Sequence, residues 1–449
     1  MSKPMIDAGS DLLDRPFAET SEEAIHRLFL DAAKPADDWY VGTELELFGF
    51  HRSNLMPPSL DELQAVLEQL ASRLGWHADH EADGTLTGLK GDGQSVSLEP
   101  GGQLEFATRP HRALRALRDE MTTYCEQLRG VAHDRDLGFW CVGHQPFVDL
   151  GNVPRMPKAR YDRMRAYLSG RGARALEMMH LTCSIQCTVD FSDERNLTDK
   201  VRTAVRASPF LSALVAASPF TRGRLNGFKS LRYQIWLETD EDRCGVWPEM
   251  FDAEGLRIHR YIARAVAVAP MFFMRNGTHR PVEPRPFAHY AKEGFEGTPV
   301  TVRDFIDHLT TLFPEVRLKG YVELRGADCL PPAYATAISG FWRAILDDEP
   351  TRLAVDERLR SMDFDAVRAL QPQIARLGLE GDSAAGPVLE VARWLVDVGY
   401  RRMKEGAPDC AECLEPLVRL AEDGYAPADR MIETALRKSV EEAISPYEV

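Results

Sequence analysis

Five glutamates stand where strand-like segments would let them act together. Glu44 and Glu46 are two apart in VGTELELFGF (41–50), and in an extended strand such residues share a face, with Thr43 and Leu45 on the other. Glu99 stands just before Pro100-Gly101-Gly102 and Glu105 just after it, so a tight turn there would bring two more carboxylates close together. Glu323 and Arg325 share a face in YVELR, flanked by Arg317 and Lys319. Carboxylates gathered in one pocket repel one another unless a cation neutralises them. Oxygen-only ligation suits a hard divalent ion, magnesium or manganese, rather than zinc. For any one of these acids the plainer reading is a solvated outward residue of a half-buried strand. Glu323 fits that reading least, because apolar Val322 and Leu324 alternate with it.

Several catalytic signatures are missing. There is no G-x-x-x-x-G-K-[ST] and no G-x-G-x-x-G, so neither a P-loop nor a dinucleotide fold is supported, and neither G-x-S-x-G nor H-E-x-x-H occurs. His77 and His80 lie near a polar turn without a third ligand and read as surface histidines. Cys410 and Cys413 form the one C-x-x-C, with no second pair to complete a zinc site, and read as two thiols of a C-terminal helix.

The elements that must position these residues follow from periodicity. Alternation predicts strands at 41–50, across 85–108 with turns at Gly91-Asp92-Gly93 and Gly101-Gly102, and at 181–191, 231–239 and 320–328. Helical spacing predicts helices over 21–33 with Ser21 as N-cap, over 59–74 on Leu60, Leu63, Val66, Leu67 and Leu70, over 112–136, over 197–215, and almost continuously from about 334. Residues 276–298, rich in Pro, His and charge, read as a loop or projecting arm, and residues 1–20 as a flexible, polar lead-in. Strands mixed with helices and no repeated βαβ rhythm favour an α+β fold.

The chain has 449 residues, 44% of them apolar and 27% charged, which is ordinary for a soluble protein. Its longest apolar run, Ala265 to Met274, contains Pro270 and falls short of the roughly 18 residues of a spanning helix. The N-terminal residues carry no apolar secretory stretch and the eight cysteines are scattered, so a soluble, cytoplasmic protein with reduced thiols is expected, without a membrane partner. A net charge of −15 argues against a nucleic-acid surface, yet leaves room for a local Arg/Lys pocket that takes a small anion.

Six stretches together resemble the plant and proteobacterial type of glutamate–cysteine ligase: VGTELELFGF, GLKGDGQSVSLEPGGQLEFA, MPKARYDRMRAYL, MMHLTCSIQCTVDF, SPFTRGRLNGFKSLRYQIW and LTTLFPEVRLKGYVELRGAD. The resemblance covers about 25–345, and the C-terminal hundred residues add little beyond helical character. It implies a glutamine-synthetase-like curved antiparallel sheet with helices outside, a catalytic domain over 21–345, and a helical region over 346–449 packed on it. It implies ATP-dependent joining of the glutamate side-chain carboxylate to the cysteine amine through a γ-glutamyl phosphate, the first step of glutathione synthesis. ATP would be handled through metal-bridged phosphates. The magnesium (or manganese) ligands would be Glu44, Glu46, Glu99, Glu105 and Glu323, with Gln186 in contact near the metals. Arg232 would hold the glutamate α-carboxylate through a two-pronged contact, and Arg325 would stabilise the transferring phosphoryl group. The plainer reading of Arg232 is a cation over Trp236 or Tyr233 at the surface; that of Arg325 is an ion pair with Glu323.

Two departures stand out. Leu45-Glu46-Leu47 replaces the His-Glu-Lys pattern of plant members, and 276–298 lacks their arm cysteines, so plant-style disulfide switching is not expected. A γ-glutamyl ligase using another amine, and a silent binding paralogue, remain as alternatives, and the oligomeric state stays open between monomer and homodimer. Glu323→Ala is expected to abolish turnover with little loss of folding, and Arg232→Lys mainly to raise the glutamate KM.

Overall fold

The alternating segment becomes strand β1 (Val41–His51) at the centre of the main sheet of the computed structural model, which describes residues 9–252 and 256–449. Its companions are β2 (His77–His80), β3 (Leu86–Lys90), β4 (Ser95–Leu98), β5 (Leu104–Ala107), β6 (Leu137–Trp140), β7 (Ser184–Val189), β8 (Val316–Leu318) and β9 (Val322–Asp328). The order across the sheet is β8-β9-β7-β1-β5-β4-β3-β2, and β6 pairs with the second half of β1. Every pairing is antiparallel.

Eight helices matter for the site: α1 (Glu22–Leu30), α2 (Leu60–Leu74), α3 (Leu114–His133), α4 (Ala159–Leu168), α5 (Glu194–Leu214), α6 (Leu231–Leu237), α7 (Pro332–Leu346) and α8 (Val388–Gly406). Ser21 caps α1 through the Ala24 amide, and Ser59 with Glu62 forms a capping box on α2. Leu63, Val66, Leu67 and Leu70 of α2 are all fully buried, each worth about 1.5–3 kcal/mol of removal from water. Helix α7 lies across β1 and β7, α5 lies against β9, and α8 packs on both helices, which binds the C-terminal region to the sheet. The contact is direct at β1, where the hydroxyls of Thr43 and Ser339 lie 2.5 Å apart. The Thr43 face is therefore the helix-covered one, and Glu44 and Glu46 project from the other. The expected α+β fold, antiparallel sheet and helical C-terminal region are all present.

Three local expectations are corrected. Residues 231–237 are helical, not a strand: Ser230 accepts from the Tyr233 amide, and Leu231 and Ile235, four apart, are both buried. Seven residues are too few for alternation to be told from helical spacing. The 276–298 segment is not one loop. Asn276-Gly277, both at positive φ, close a hairpin between Phe272–Arg275 and Thr278–Pro281, and Phe287–Glu293 is a helix. Pro281, Pro284 and Pro286 interrupt the pattern and hide it. Residues 1–8 of the lead-in lie outside the described residues, but Phe17 packs on Phe287 and Phe305 at 5.3 and 4.9 Å between ring centroids, which anchors this end.

Candidate active site

Strand register brings the predicted acids together. Glu46 of β1 is paired with Glu105 of β5, and Glu44 with Gln186 of β7. The turn after β4 delivers the fourth acid. The Glu99 N–H donates to the Gln103 carbonyl at 2.8 Å and the Gly102 N–H to the Glu99 carbonyl at 2.9 Å, with Gly102 at φ 80°. The turn also lies so close to its neighbour that a Cβ on Gly101 would sit 2.3 Å from the His180 carbonyl oxygen, which is why glycine is needed there. Ser97 and the Tyr161 hydroxyl of α4 donate to Glu99 at 3.0 and 3.1 Å.

The four carboxylates feel one another. Burial first, then Glu44, Glu99 and Glu46, push the Glu105 carboxyl well above its ordinary range. Burial raises Glu46 to about 7, with Glu99 adding to the rise and Arg232 and Arg325 opposing it. Glu44 is raised by burial and by Glu323, against the pull of Lys319. Glu46 accepts from the Ser184 hydroxyl at 3.0 Å and from Gln186 Nε2 at 3.2 Å. The side chains of Glu44 and Glu105 make no hydrogen bond or ion pair among the described residues.

Glu323, by contrast, already has partners. On the β8–β9 hairpin its Oε2 accepts from Arg317 Nε at 2.6 Å and Arg325 Nη1 at 2.7 Å, while Lys319 Nζ lies 2.7 Å from Oε1. Burial alone would raise this carboxyl, but the three cations outweigh it and hold it well below its ordinary range. Arg325 also donates to Gln186 Oε1, so the Gln186 amide spans the acidic group and the cationic one. The Arg325–Glu323 ion pair is thus present as the plainer reading anticipated.

The donor set fits a hard divalent ion: half-buried carboxylates, two of them unpartnered, and no thiolate or imidazole among them. As they stand, no three acidic, His or Cys side chains among the described residues are close enough to hold a metal. His77 and His80 are exposed on β2, and Cys413 is buried and Cys410 half-buried, with no metal-holding group around them among the described residues.

Beside the acids lies a cleft lined by Arg232, Tyr233, Trp236, Phe313, Glu315 and Arg325. Arg232 is 2% exposed and so is not a surface cation, although its guanidinium does lie 5.8 Å from the Trp236 ring, with that of Arg325 at 5.9 Å. Its Nη2 and Nη1 donate to the Arg325 and Gly326 carbonyls at 2.8 and 3.3 Å, and its buried Nε has no partner. A two-pronged grip on a carboxylate therefore requires one of these backbone contacts to be exchanged.

Sequence reasoning missed the partnering roles of Arg317 and Lys319, seen there only as flanks. The signal was the Lys319-Gly320 turn, which folds Arg317 back opposite Glu323. It also missed Tyr161 under Glu99, and Glu315, held by Tyr233, Gln371 and Ser208, for which no local pattern exists.

A family model described as glutamate-cysteine ligase family 2 matches residues 40–446. The match runs through the C-terminal helices, where the motifs carry little resemblance. The chain is 32% identical over 427 residues to the chloroplastic glutamate–cysteine ligase B of Oryza sativa subsp. japonica, covering 94% of this chain and 86% of the relative. It is 34% identical over 417 residues to the chloroplastic enzyme of Brassica juncea, covering 92% and 80%. In fold it is similar to a crystal structure of the glutamate–cysteine ligase of Francisella tularensis in complex with AMP, with a TM-score of 0.58, 13% identity, and coverage of 90% and 86%. The expected cytoplasmic location is overturned by the chloroplastic relatives, because lack of a secretory stretch does not separate cytosol from plastid. No helix among the described residues is long and apolar enough to cross a membrane.

Proposed function

The chain belongs to glutamate-cysteine ligase family 2, and on that premise we propose that it joins the side-chain carboxylate of glutamate to the amino group of cysteine with cleavage of ATP. The glutamate γ-carboxylate oxygen attacks the terminal phosphorus and ADP leaves. The cysteine amine then attacks the acyl phosphate and phosphate leaves. Phosphoryl transfer of this kind asks the protein mainly for positioning and for neutralisation of charge.

The observation that carries this reading is the juxtaposition, across Gln186, of four half-buried carboxylates and a cluster of three cations. Magnesium, or manganese, held by Glu44, Glu46, Glu99 and Glu105 with Glu323 beside them, would supply neutralisation of the ATP phosphates. Arg325, aimed by Gln186 and Glu323, stabilises charge on the transferring phosphoryl group. Arg232 takes the glutamate α-carboxylate, starting from its unpartnered Nε. Trp236 and Phe313 wall the cleft and keep water from the acyl phosphate. We assign these steps to residues 21–345 and treat 346–449 as a helical region packed behind the sheet.

The test is ATP turnover with glutamate and a panel of amines, with mass detection of product. Cysteine should stimulate ADP release and give γ-glutamylcysteine in equal amount. Stimulation by another amine alone would transfer the activity to that acceptor, and absence of any magnesium-dependent turnover would leave a silent binding protein.

A further inference from the structure

We propose that Lys319 is the exchangeable cation of the site, one that yields Oε1 of Glu323 to a divalent ion and turns to the nucleotide phosphate. This inference rests on the functional reading above. The two oxygens of Glu323 are held differently. Oε2 is gripped by Arg317 and Arg325, at 2.6 and 2.7 Å, whereas Oε1 has Lys319 alone, at 2.7 Å. Departure of Lys319 would leave Glu323 still charge-balanced by two arginines, with one oxygen free.

Lys319 also serves the opposite side of the site. Its charge is the leading favourable one felt by Glu44 and reaches Glu105 as well, the two acids with no partner of their own. The ammonium thus rests on one oxygen of Glu323, an acid assigned to the metal, and its charge is felt by Glu44 and Glu105 across the site. An ammonium and a divalent ion on that one oxygen repel each other, so the two alternate there. The side chain has the means to move. It sits in the three-residue turn between β8 and β9, where its N–H donates to the Tyr321 carbonyl at 2.9 Å, and a lysine head on a four-carbon stem swings more freely than a fixed guanidinium fork. Three donors with one oxygen partner leave it ready for phosphate oxygens.

The effects of removing it have opposite signs. Manganese binding to nucleotide-free protein, read from the EPR signal of free Mn2+, should tighten about tenfold in Lys319→Met and stay near wild type in Lys319→Arg. Binding of a non-hydrolysable ATP analogue should weaken in Lys319→Met. Unchanged or weaker manganese binding in that variant would overturn the proposal. Should the variant not fold, acetylation of the wild-type protein decides: Lys319 should label faster once manganese is added alone and slower when the analogue follows. Labelling unmoved by manganese would equally overturn it. Glu105→Gln is the control. If manganese binding is indifferent to that change, the functional reading fails, and this inference falls with it.

Discussion

At the scale of single residues, Glu323 has moved furthest from its expected behaviour. Read as a strand acid it could be removed with little harm to folding, but it is 0% exposed and surrounded by Arg317, Lys319 and Arg325. Deleting one partner of a buried ionic group costs about 3–5 kcal/mol, because the charges left behind lose their compensation. Glu323→Ala should therefore lose both turnover and stability, read as a lower denaturation midpoint in urea; a variant as stable as wild type would mean that the three cations are not held there. The other acids work in the opposite sense. Glu46, at about 7, and Glu105, also raised, bind protons in the folded protein that the unfolded chain has already released above about 4.5. Their share of stability accordingly falls as pH rises from about 4.5 towards 7 in metal-free protein. Glu323, held low, adds stability above the unfolded value and loses it only as pH falls further. Metal binding near pH 6.5 should release protons, seen in calorimetry as a heat that changes with the ionisation enthalpy of the buffer. A buffer-independent heat would contradict the raised carboxyls.

At the scale of elements, the acids depend on a turn. Gly101→Ala would place a methyl against the His180 carbonyl at 2.3 Å, a contact between backbones that no side-chain rotation relieves. The Glu99 turn must shift, so magnesium affinity should fall more than tenfold with the sheet intact, measured by titration beside a circular dichroism spectrum; wild-type affinity would show that Glu99 does not take part. Such turns were legible because Pro-Gly-Gly and the Ser59 and Ser21 caps are local signals. Helix α6 was not, since LRYQIWL alternates in apolar character and only Ser230 and its burial decide the matter. Nor was the hairpin at Asn276-Gly277, whose turn signal stood among charged and proline residues. Strand order was out of reach as well. That β9 lies beside β7, setting Glu323 opposite Thr188, is a pairing between segments more than a hundred residues apart in sequence.

Across the whole molecule, a chain of net charge −15 concentrates cations on one hairpin and one short helix beside the acids, as a pocket for an anionic substrate would require. Glu44 and Glu46 were legible as a pair because strand alternation places them on one face, and the full set followed only from the family resemblance. The cations were less so, because their roles depend on which strand lies next to which. The central claim is that these acids serve a divalent ion used with ATP, and the most direct measurement is magnesium-dependent ADP release by Glu105→Gln with glutamate and cysteine present. The Glu105 side chain makes no hydrogen bond or ion pair among the described residues and burial disfavours its charge, so the substitution should leave metal-free stability equal or higher while lowering turnover about a hundredfold. A variant that melts as wild type does and turns over ATP at the wild-type rate across the magnesium titration would contradict the account.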